Sequence, residues 1–172
     1  MPKRELEDWY NAYSTTIYQY VFFLVRDVEL AEDITQETFY RAYKQAARFR
    51  QQASVKTWLH RIARNATYDE LRRKRLIAFV TFTKQHEPQM DDLALRSLLT
   101  KELHSKLYQA ISQLKLVYRD VLVLRYIEEL SVKDTAQILG FSESKVKSTA
   151  ARALQSLTTI MKERGWDDEM AR

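Results

Sequence analysis

The chain of 172 residues contains no cysteine and only two glycines and two prolines. The absence of cysteine excludes disulfides, a cysteine-ligated zinc site and a cysteine nucleophile. Because glycine and proline most often end helices, their scarcity favours long uninterrupted helices. Hydrophobic residues make up 45% and charged residues 30% of the chain, as in an ordinary globular protein. The composition therefore predicts an all-α protein of one or two small domains.

Long apolar stretches are also missing. No run approaches the roughly 18 consecutive apolar residues of a membrane-spanning helix. The first eight residues, MPKRELED, lack the apolar segment of a signal peptide. We therefore expect a cytoplasmic protein that does not insert into the membrane.

Residues suited to catalysis are sparse. The three histidines, His60, His86 and His104, are isolated and show no metal-ligand spacing. The two glycines, Gly140 and Gly165, do not form a phosphate-cradling loop. We therefore predict a binding protein rather than an enzyme, with no metal and no cofactor.

Charge is distributed unevenly along the chain, whose net charge is +5. Residues 1–40 carry three basic and eight acidic side chains, whereas residues 41–75 carry eleven basic and two acidic ones. A basic block of this strength is typical of proteins that bind a polyanion such as nucleic acid. A solvated basic helix face would account for the same charge, so composition leaves both interpretations open.

Apolar residues recur at intervals of three and four residues, the spacing of amphipathic helices, through most of the chain. The pattern predicts three helices in the first half: one ending near Asp27, one from about Val28 to Arg48, and one from a Ser54 N-cap to about Arg75. It predicts four more in the second half, over about 93–114, 118–127, 132–139 and 143–163.

The helical periodicity fails between these two halves. Residues 77–92 become polar, contain Pro88 and end in two aspartates, as an interdomain linker does. The apolar start of this stretch, 76–80, would alternatively prolong the third helix or contact a partner. We predict two small helical domains, residues 1–76 and 93–172, joined by a flexible linker over 77–92.

A helix-turn-helix is predicted over residues 131–147. Small Ala136 lets the two helices cross closely, Gly140 permits the positive φ of the turn, and Val146 anchors the second helix. Ser131 and Ser142 stand at the N-cap positions. An ordinary helical hairpin is the alternative. In a helix-turn-helix the second helix enters the major groove, and its predicted exposed residues are Ser144, Lys145, Lys147, Ser148, Thr149 and Arg152.

Two helices of the first half carry distinctive polar faces. On the second predicted helix, four residues share one face, which is either solvated only or a contact surface: Asp33, Gln36, Glu37 and Tyr40. The third predicted helix is basic, and Trp58 on it is better suited to the core than to base stacking. Its polar candidates for nucleic-acid contact are Arg61, Arg64, Asn65, Arg72 and Arg73.

Four segments together resemble the extracytoplasmic-function sigma factors of bacteria. They are AEDITQETF at 31–39, KTWLHRIARNA at 56–66, YRDVLVLRY at 118–126, and the helix-turn-helix. Their order and separation match the family across nearly the whole chain. The resemblance implies an alternative sigma factor that binds core RNA polymerase and directs initiation at specific promoters, in response to envelope or other stress.

The resemblance also implies roles that spacing does not show. Core polymerase is expected to bind the second helix through Asp33, Gln36, Glu37, Phe39 and Tyr40. Asn65 is expected to read a flipped base of the minus-ten element. The arginines expected on phosphates there are Arg61, Arg64, Arg72 and Arg73. The second helix of the helix-turn-helix is expected to read the minus-thirty-five element, and an anti-sigma factor, often membrane-anchored, to hold the protein inactive.

One segment departs from the family pattern. Many relatives carry further basic or aromatic residues after the serine that matches Ser148, where this chain has Thr149-Ala150-Ala151. We therefore expect sparse base contacts and more weight on backbone contacts and DNA shape.

Two other classes of function compete with the sigma interpretation. A stand-alone helix-turn-helix regulator would need a dimerisation or ligand domain. A nucleic-acid enzyme or helical adapter would use the basic helix to grip DNA or RNA, and Asp33 with Glu37 is the only near candidate for a metal site.

Overall fold

A computed structural model describes residues 3–49, 52–81 and 102–166 of the chain. Within these ranges the structure is helical and contains no strand. The helices are α1 (Lys3–Val25), α2 (Val28–Gln45), α3 (Val55–Thr81), α4 (Glu102–Ser112), α5 (Leu116–Leu122), α6 (Val132–Leu139) and α7 (Glu143–Glu163). A 3-10 turn, Ala46–Arg48, follows α2, and a π-helical turn, Val123–Ile127, follows α5. The all-α prediction is confirmed.

The predicted helix boundaries agree with this order, with one notable extension. α3 continues through residues 76–81, so the apolar segment after Arg75 prolongs the third helix. The rest of the predicted linker, 82–92, and the predicted helical start at 93–101 lie outside the described residues.

α1, α2 and α3 form a three-helix bundle, the N-terminal group. α1 ends where Arg26 adopts a left-handed φ of 57°, and Asp27 then caps α2 by accepting a hydrogen bond from the Leu30 amide at 2.9 Å. Each helix buries one apolar stripe. The residues at the centre of the bundle are Ile17, Tyr20, Val21, Leu24, Ala31, Ile34, Phe39, Leu59, Ile62, Ala63 and Ala66.

Trp58 belongs to an aromatic cluster of the N-terminal group. Its ring centroid lies 4.6 Å from that of Phe49 and 5.7 Å from that of Trp9. Aromatic pairs at these distances add to the stability of a core beyond the area they bury. The sequence-based assignment of Trp58 to packing is therefore confirmed.

The C-terminal group comprises α4 to α7. α5 packs against α7, and α6 packs against both α7 and α3. Its buried apolar residues are Tyr108, Ile111, Leu114, Val121, Leu122, Val123, Leu124, Leu130, Ile138, Leu139, Val146, Ala150 and Ala153.

Arg119 is a cation inside the molecule, only 7% exposed. Its Nη1 donates to the Leu24 carbonyl at 2.8 Å, and its Nη2 donates to the carbonyls of Ser112 and Leu114 at 2.8 and 3.0 Å. These carbonyls lie at or just beyond the C-terminal ends of α1 and α4, where the helix dipole favours a positive charge. Burial lowers the pKa of Arg119 to about 10, so the side chain stays charged at neutral pH.

The two groups pack directly against each other. The rings of Phe22 and Phe23 on α1 lie 5.7 and 5.3 Å from the ring of Tyr108 on α4. Buried apolar residues of both groups form one continuous cluster. This contact places one side of α3 against the C-terminal group and leaves the opposite side of α3 exposed.

Candidate functional site

The helix-turn-helix is built as its sequence predicts. Ser131 Oγ accepts a hydrogen bond from the Asp134 amide at 3.0 Å and caps α6, while Ser142 Oγ accepts from the Lys145 amide at 3.1 Å and caps α7. Gly140 between them has φ 66° and ψ 32°, in the left-handed region. This conformation costs a residue with a Cβ roughly 1–2 kcal/mol, so glycine suits the turn.

The anchoring residues of the motif are buried as expected. Ala136 is 8% exposed and Val146 is fully buried. The prediction of a helix-turn-helix is therefore confirmed, and the ordinary helical hairpin is set aside. The outer face of α7 is exposed.

Most of the predicted reading residues lie on that outer face. The exposed ones are Ser144, Lys145, Lys147, Ser148 and Arg152. The expectation that Thr149 is exposed is wrong, because Thr149 lies three residues after Val146 on the stripe that packs inward and is 8% exposed. Lys145 Nζ lies 3.8 Å from the centroid of the Phe141 ring, a cation–π contact that holds its charge near the start of α7.

Replacement of Ser142 by alanine is expected to lower the free energy of unfolding by about 1 kcal/mol, because the Lys145 amide loses its capping oxygen. Urea denaturation monitored by circular dichroism measures this change. Ser144→Ala is the matched control on the same turn, since its side chain caps nothing, and it should change stability by less than about 0.5 kcal/mol. Equal effects of both changes would contradict the capping role.

On α2, four residues form an outward stripe: Asp33, Gln36, Glu37 and Tyr40. We call it the α2 stripe. The side chains of Asp33, Gln36 and Tyr40 are exposed, Tyr40 by 53%. Phe39 is instead buried and packs edge-on against Tyr10, with ring centroids 5.0 Å apart. Phe39 therefore packs beneath the α2 stripe and is not part of its exposed surface.

The two acidic residues of the α2 stripe differ in whether they form an ion pair. Glu37 Oε1 forms an ion pair with Arg41 Nε at 2.6 Å, and Arg41 Nη1 reaches Asp69 of α3 at 3.4 Å. Among the described residues, the Asp33 side chain makes no hydrogen bond or ion pair. Asp33 is therefore the anion on this face with no intramolecular partner in the described chain.

The exposed side of α3 carries most of the predicted minus-ten residues. Arg61 and Asn65 are exposed one turn apart, and the part of the chain that the structure describes offers neither a polar partner. Arg73 forms an ion pair with Glu70 at 2.6 Å, and Arg72 lies 3.9 Å from Asp69. The Arg73–Glu70 pair is bidentate, since Arg73 Nε also donates to Glu70 at 2.9 Å, whereas the Arg72–Asp69 pair is exposed and weak.

Arg64 lies on the covered side of the same helix. Its Nε donates to Asp120 Oδ2 of α5 at 3.0 Å, and its guanidinium stacks over the Tyr68 ring at 4.1 Å. Tyr68 and Tyr20 also donate to Asp120, at 2.9 and 2.6 Å. The structure thus brings Arg61, Asn65 and Arg72 together on one face and directs Arg64 away from it.

Sequence reasoning missed Asp120 and its tyrosine partners. The signal was an aspartate placed directly before the apolar run Val121 to Leu124, a position where a charge needs a partner. Burial raises the pKa of Asp120, while the hydrogen bonds from Tyr20 and Tyr68 and the nearby guanidinium of Arg64 oppose that rise. Burial and the same carboxylate also raise the pKa values of Tyr20 and Tyr68.

The described ranges contain no group of three or more histidine, cysteine or acidic side chains arranged to hold a metal ion. No helix within them is both long and apolar enough to span a membrane.

The geometry defines a helical protein with a helix-turn-helix, a second exposed basic helix face and an acidic stripe on a third helix. Two family models match separate parts of this chain. The model for Sigma-70 region 2 matches residues 9–77, and the model for Sigma-70 region 4 matches residues 104–157.

Individual relatives extend the match along the chain. The ECF RNA polymerase sigma factor SigX of Bacillus subtilis is 34% identical, over 94% of this chain and 87% of its own length. The sigma factor SigM of the same organism is 31% identical, over 95% of this chain and 99% of its own length. The chain therefore belongs to the extracytoplasmic-function family of RNA polymerase sigma factors.

A solved structure shares the fold. The sigma factor RpoE in its complex with the anti-sigma factor NepR from Bartonella quintana superposes with a TM-score of 0.76 at 21% identity. The match covers 92% of this chain and 98% of that chain.

Proposed function

We propose that this protein is an alternative sigma factor, which binds core RNA polymerase in the cytoplasm and directs initiation at a specific set of promoters, in response to envelope or other stress. One observation carries the proposal. A helix-turn-helix and a second exposed basic helix face occur in one chain, in the segments that match Sigma-70 regions 4 and 2.

Residues 1–76 form the part that binds polymerase and the minus-ten element, and residues 93–172 read the minus-thirty-five element across the 77–92 linker. The α2 stripe contacts polymerase, with Phe39 holding α2 in place. Its exposed anion and half-exposed tyrosine are suited to a partner surface that carries cations and apolar groups. Asp33 contributes most of the electrostatic attraction because Glu37 is already paired with Arg41.

The exposed side of α3 contacts the minus-ten element. Asn65 has free amide donor and acceptor groups that suit the edge of an unstacked base. The cations Arg61, Arg72 and Arg73 lie along the same helix and neutralise phosphates of the unpaired strand. Arg64 joins them once it leaves Asp120.

The outer face of α7 contacts the minus-thirty-five element in the major groove. Lysine and arginine bind guanine edges or phosphates, and serine hydroxyls adapt to either base edges or backbone. The residues assigned to this contact are Ser144, Lys145, Lys147, Ser148 and Arg152. Because Ala151 stands among them and Thr149 and Ala150 face inward, DNA shape supplies part of the specificity.

An anti-sigma factor is the expected regulatory partner. The structural relative from Bartonella quintana is bound to one. By analogy the partner of this chain covers the polymerase-binding or DNA-binding faces, and a membrane-anchored form would link the protein to envelope signals.

Transcription by purified core polymerase on a pool of genomic promoters, with and without this protein, tests the proposal. We expect transcripts from a defined set of promoters that share two elements, because the two reading surfaces act together. If the protein neither binds core polymerase nor starts transcripts, yet binds duplex DNA alone at moderate salt, it is a stand-alone regulator and the proposal fails.

A further inference from the structure

Phe141 lies in the turn of the helix-turn-helix, between the left-handed Gly140 and the Ser142 cap of α7. Its amide donates a hydrogen bond to the Ala136 carbonyl at 3.1 Å, and its partly buried ring packs against the buried core. The hydrogen bond fixes the backbone and the packing fixes the ring. The turn therefore presents an aromatic face in a set position beside the first turn of α7.

Lys145 lies over that aromatic face. Its Nζ is 3.8 Å from the centroid of the Phe141 ring, as in a cation–π contact. The side chain is exposed, and no acidic group of the described ranges pairs with it. The helix dipole disfavours a cation in the first turn of a helix, so the position alone does not stabilise a lysine. The ring offsets that effect and restricts a side chain that is otherwise flexible.

The position of Lys145 around α7 separates it from the residues at the centre of the exposed face. Successive residues of an α-helix are about 100° apart around its axis. Ser144 and Ser148 therefore lie about 40° apart, and the direction midway between them is opposite the buried Val146. Lys145 and Lys147 flank these serines, each about 80° from that midway direction. The two lysines thus stand on the two sides of α7.

The dimensions of the major groove assign different partners to the centre and the sides of α7. A helix with its side chains is about 10–12 Å across and the groove is about 12 Å wide, so a helix that enters the groove fills it. When the serines face the base edges, the lysines face the phosphates along the two strands. The Phe141 ring covers one side of the Lys145 ammonium, and the other N–H donors remain available to phosphate oxygens.

We propose that Phe141 is a positioning residue for DNA binding, which holds the Lys145 ammonium in place to bind a backbone phosphate beside the minus-thirty-five element. Lys145 then contributes affinity and does not read a base. The inference deepens the proposed function and rests on it, because it requires α7 to lie in the major groove. Lys147 is the matched residue on the other side of α7, with no aromatic ring beneath its charge in the described chain.

Lys145→Gln tests the phosphate contact. Fluorescence anisotropy of a labelled promoter duplex, titrated with the full-length chain bound to core polymerase, measures affinity at several salt concentrations. We expect an affinity loss of about fivefold at about 0.15 M salt, and a salt dependence (log affinity against log salt) shallower by about 0.9, the value for one phosphate. The loss should be the same on minus-thirty-five elements that carry single base changes. A loss that disappears when one particular base pair is changed would show that Lys145 reads that base, and the proposal would be wrong.

Phe141→Leu tests the positioning. Leucine keeps an apolar side chain in the turn but has no aromatic face, so affinity should fall by about two- to fivefold. The salt dependence should stay the same, because the lysine charge remains. Phe141→Tyr keeps the ring and should bind as the unmodified chain does. Urea denaturation monitored by circular dichroism checks that each variant is folded, and Phe141→Met takes the place of Phe141→Leu if leucine unfolds the motif.

A double-mutant cycle separates positioning from packing. In a chain that carries Lys145→Gln, Phe141→Leu should cause no further loss, because no ammonium remains over the ring. In a chain that carries Lys147→Gln, Phe141→Leu should still cause its full loss of about two- to fivefold. Equal losses in the two backgrounds would mean that Phe141 only supports the fold of the turn, and this result would overturn the proposal.

The same cycle distinguishes the positioning role from the function on which it rests. If the polymerase complex starts transcripts but Phe141 and Lys145 act additively, the positioning role is wrong and the proposed function stands. If the protein neither binds core polymerase nor starts transcripts, the cycle is measured on duplex DNA bound by the chain alone. Coupling in that experiment retains the positioning role and removes the sigma function, whereas a chain that binds no duplex DNA in either form contradicts both.

Discussion

Replacement of Asp33 by lysine is expected to weaken binding to core RNA polymerase by about 30-fold or more, which corresponds to about 2 kcal/mol. The physical reason is the reversal of an exposed charge that has no intramolecular partner among the described residues. A cation facing a cationic partner surface costs several kcal/mol when the contact excludes water. Fluorescence anisotropy of labelled protein titrated with core polymerase measures the change.

Glu32→Lys is the matched control for Asp33→Lys. Glu32 is exposed on the same helix, and the substitution changes the net charge by the same amount, but its side chain projects about 100° around the helix axis from that of Asp33. We expect a loss of less than about threefold from this control, as for other exposed charges. Glu37→Gln should also have a small effect, because Arg41 already neutralises that carboxylate. Equal losses from Asp33→Lys and Glu32→Lys would show that net charge rather than the α2 stripe governs binding.

Replacement of Asn65 by alanine is expected to reduce promoter opening by about 10- to 100-fold and to leave the affinity for core polymerase unchanged. A good pair of hydrogen bonds from a side chain to a base edge is worth about 1–3 kcal/mol. Asn65 supplies the exposed amide for such bonds on the α3 face. Permanganate reactivity of unpaired thymines at a promoter identified in the transcription assay measures opening.

Gln45→Ala is the control for Asn65→Ala. It removes an amide of the same chemistry from an exposed position at the end of α2, outside the proposed DNA surface. Opening should not change in this variant. If Asn65→Ala opened promoters as well as the unmodified chain, the minus-ten assignment of the α3 face would be wrong, even if polymerase binding were intact.

Arg64 is a poor choice for testing either surface by itself. Its removal would break the hydrogen bond to the buried Asp120 carboxylate and also delete a cation proposed to bind phosphate. A loss of promoter contact in such a variant would therefore not separate a change in packing from the loss of the cation.

The local elements were predictable because their signals lie within a few residues of one another. The Ser131 and Ser142 caps, the left-handed Gly140 and the buried Val146 all act within one turn of the helices they define. The exposure of Thr149 was predicted wrongly within the same motif. The motif fixes Val146 as buried but does not fix which of the following residues of α7 also face inward. The burial of Thr149 was decided by the packing of α7 against α5 and α6.

The sequence alone determined that the protein is helical, that it contains a helix-turn-helix, and that an acidic helix precedes a basic one. These features depend on apolar periodicity, capping residues and charge, which act between residues close together in the chain. Only the tertiary structure decided that Asp120 accepts hydrogen bonds from residues 100, 56 and 52 positions away, and that Arg64 thereby points away from the exposed side of α3. The physical reason is that a buried carboxylate must find donors wherever the packing of the whole chain brings them.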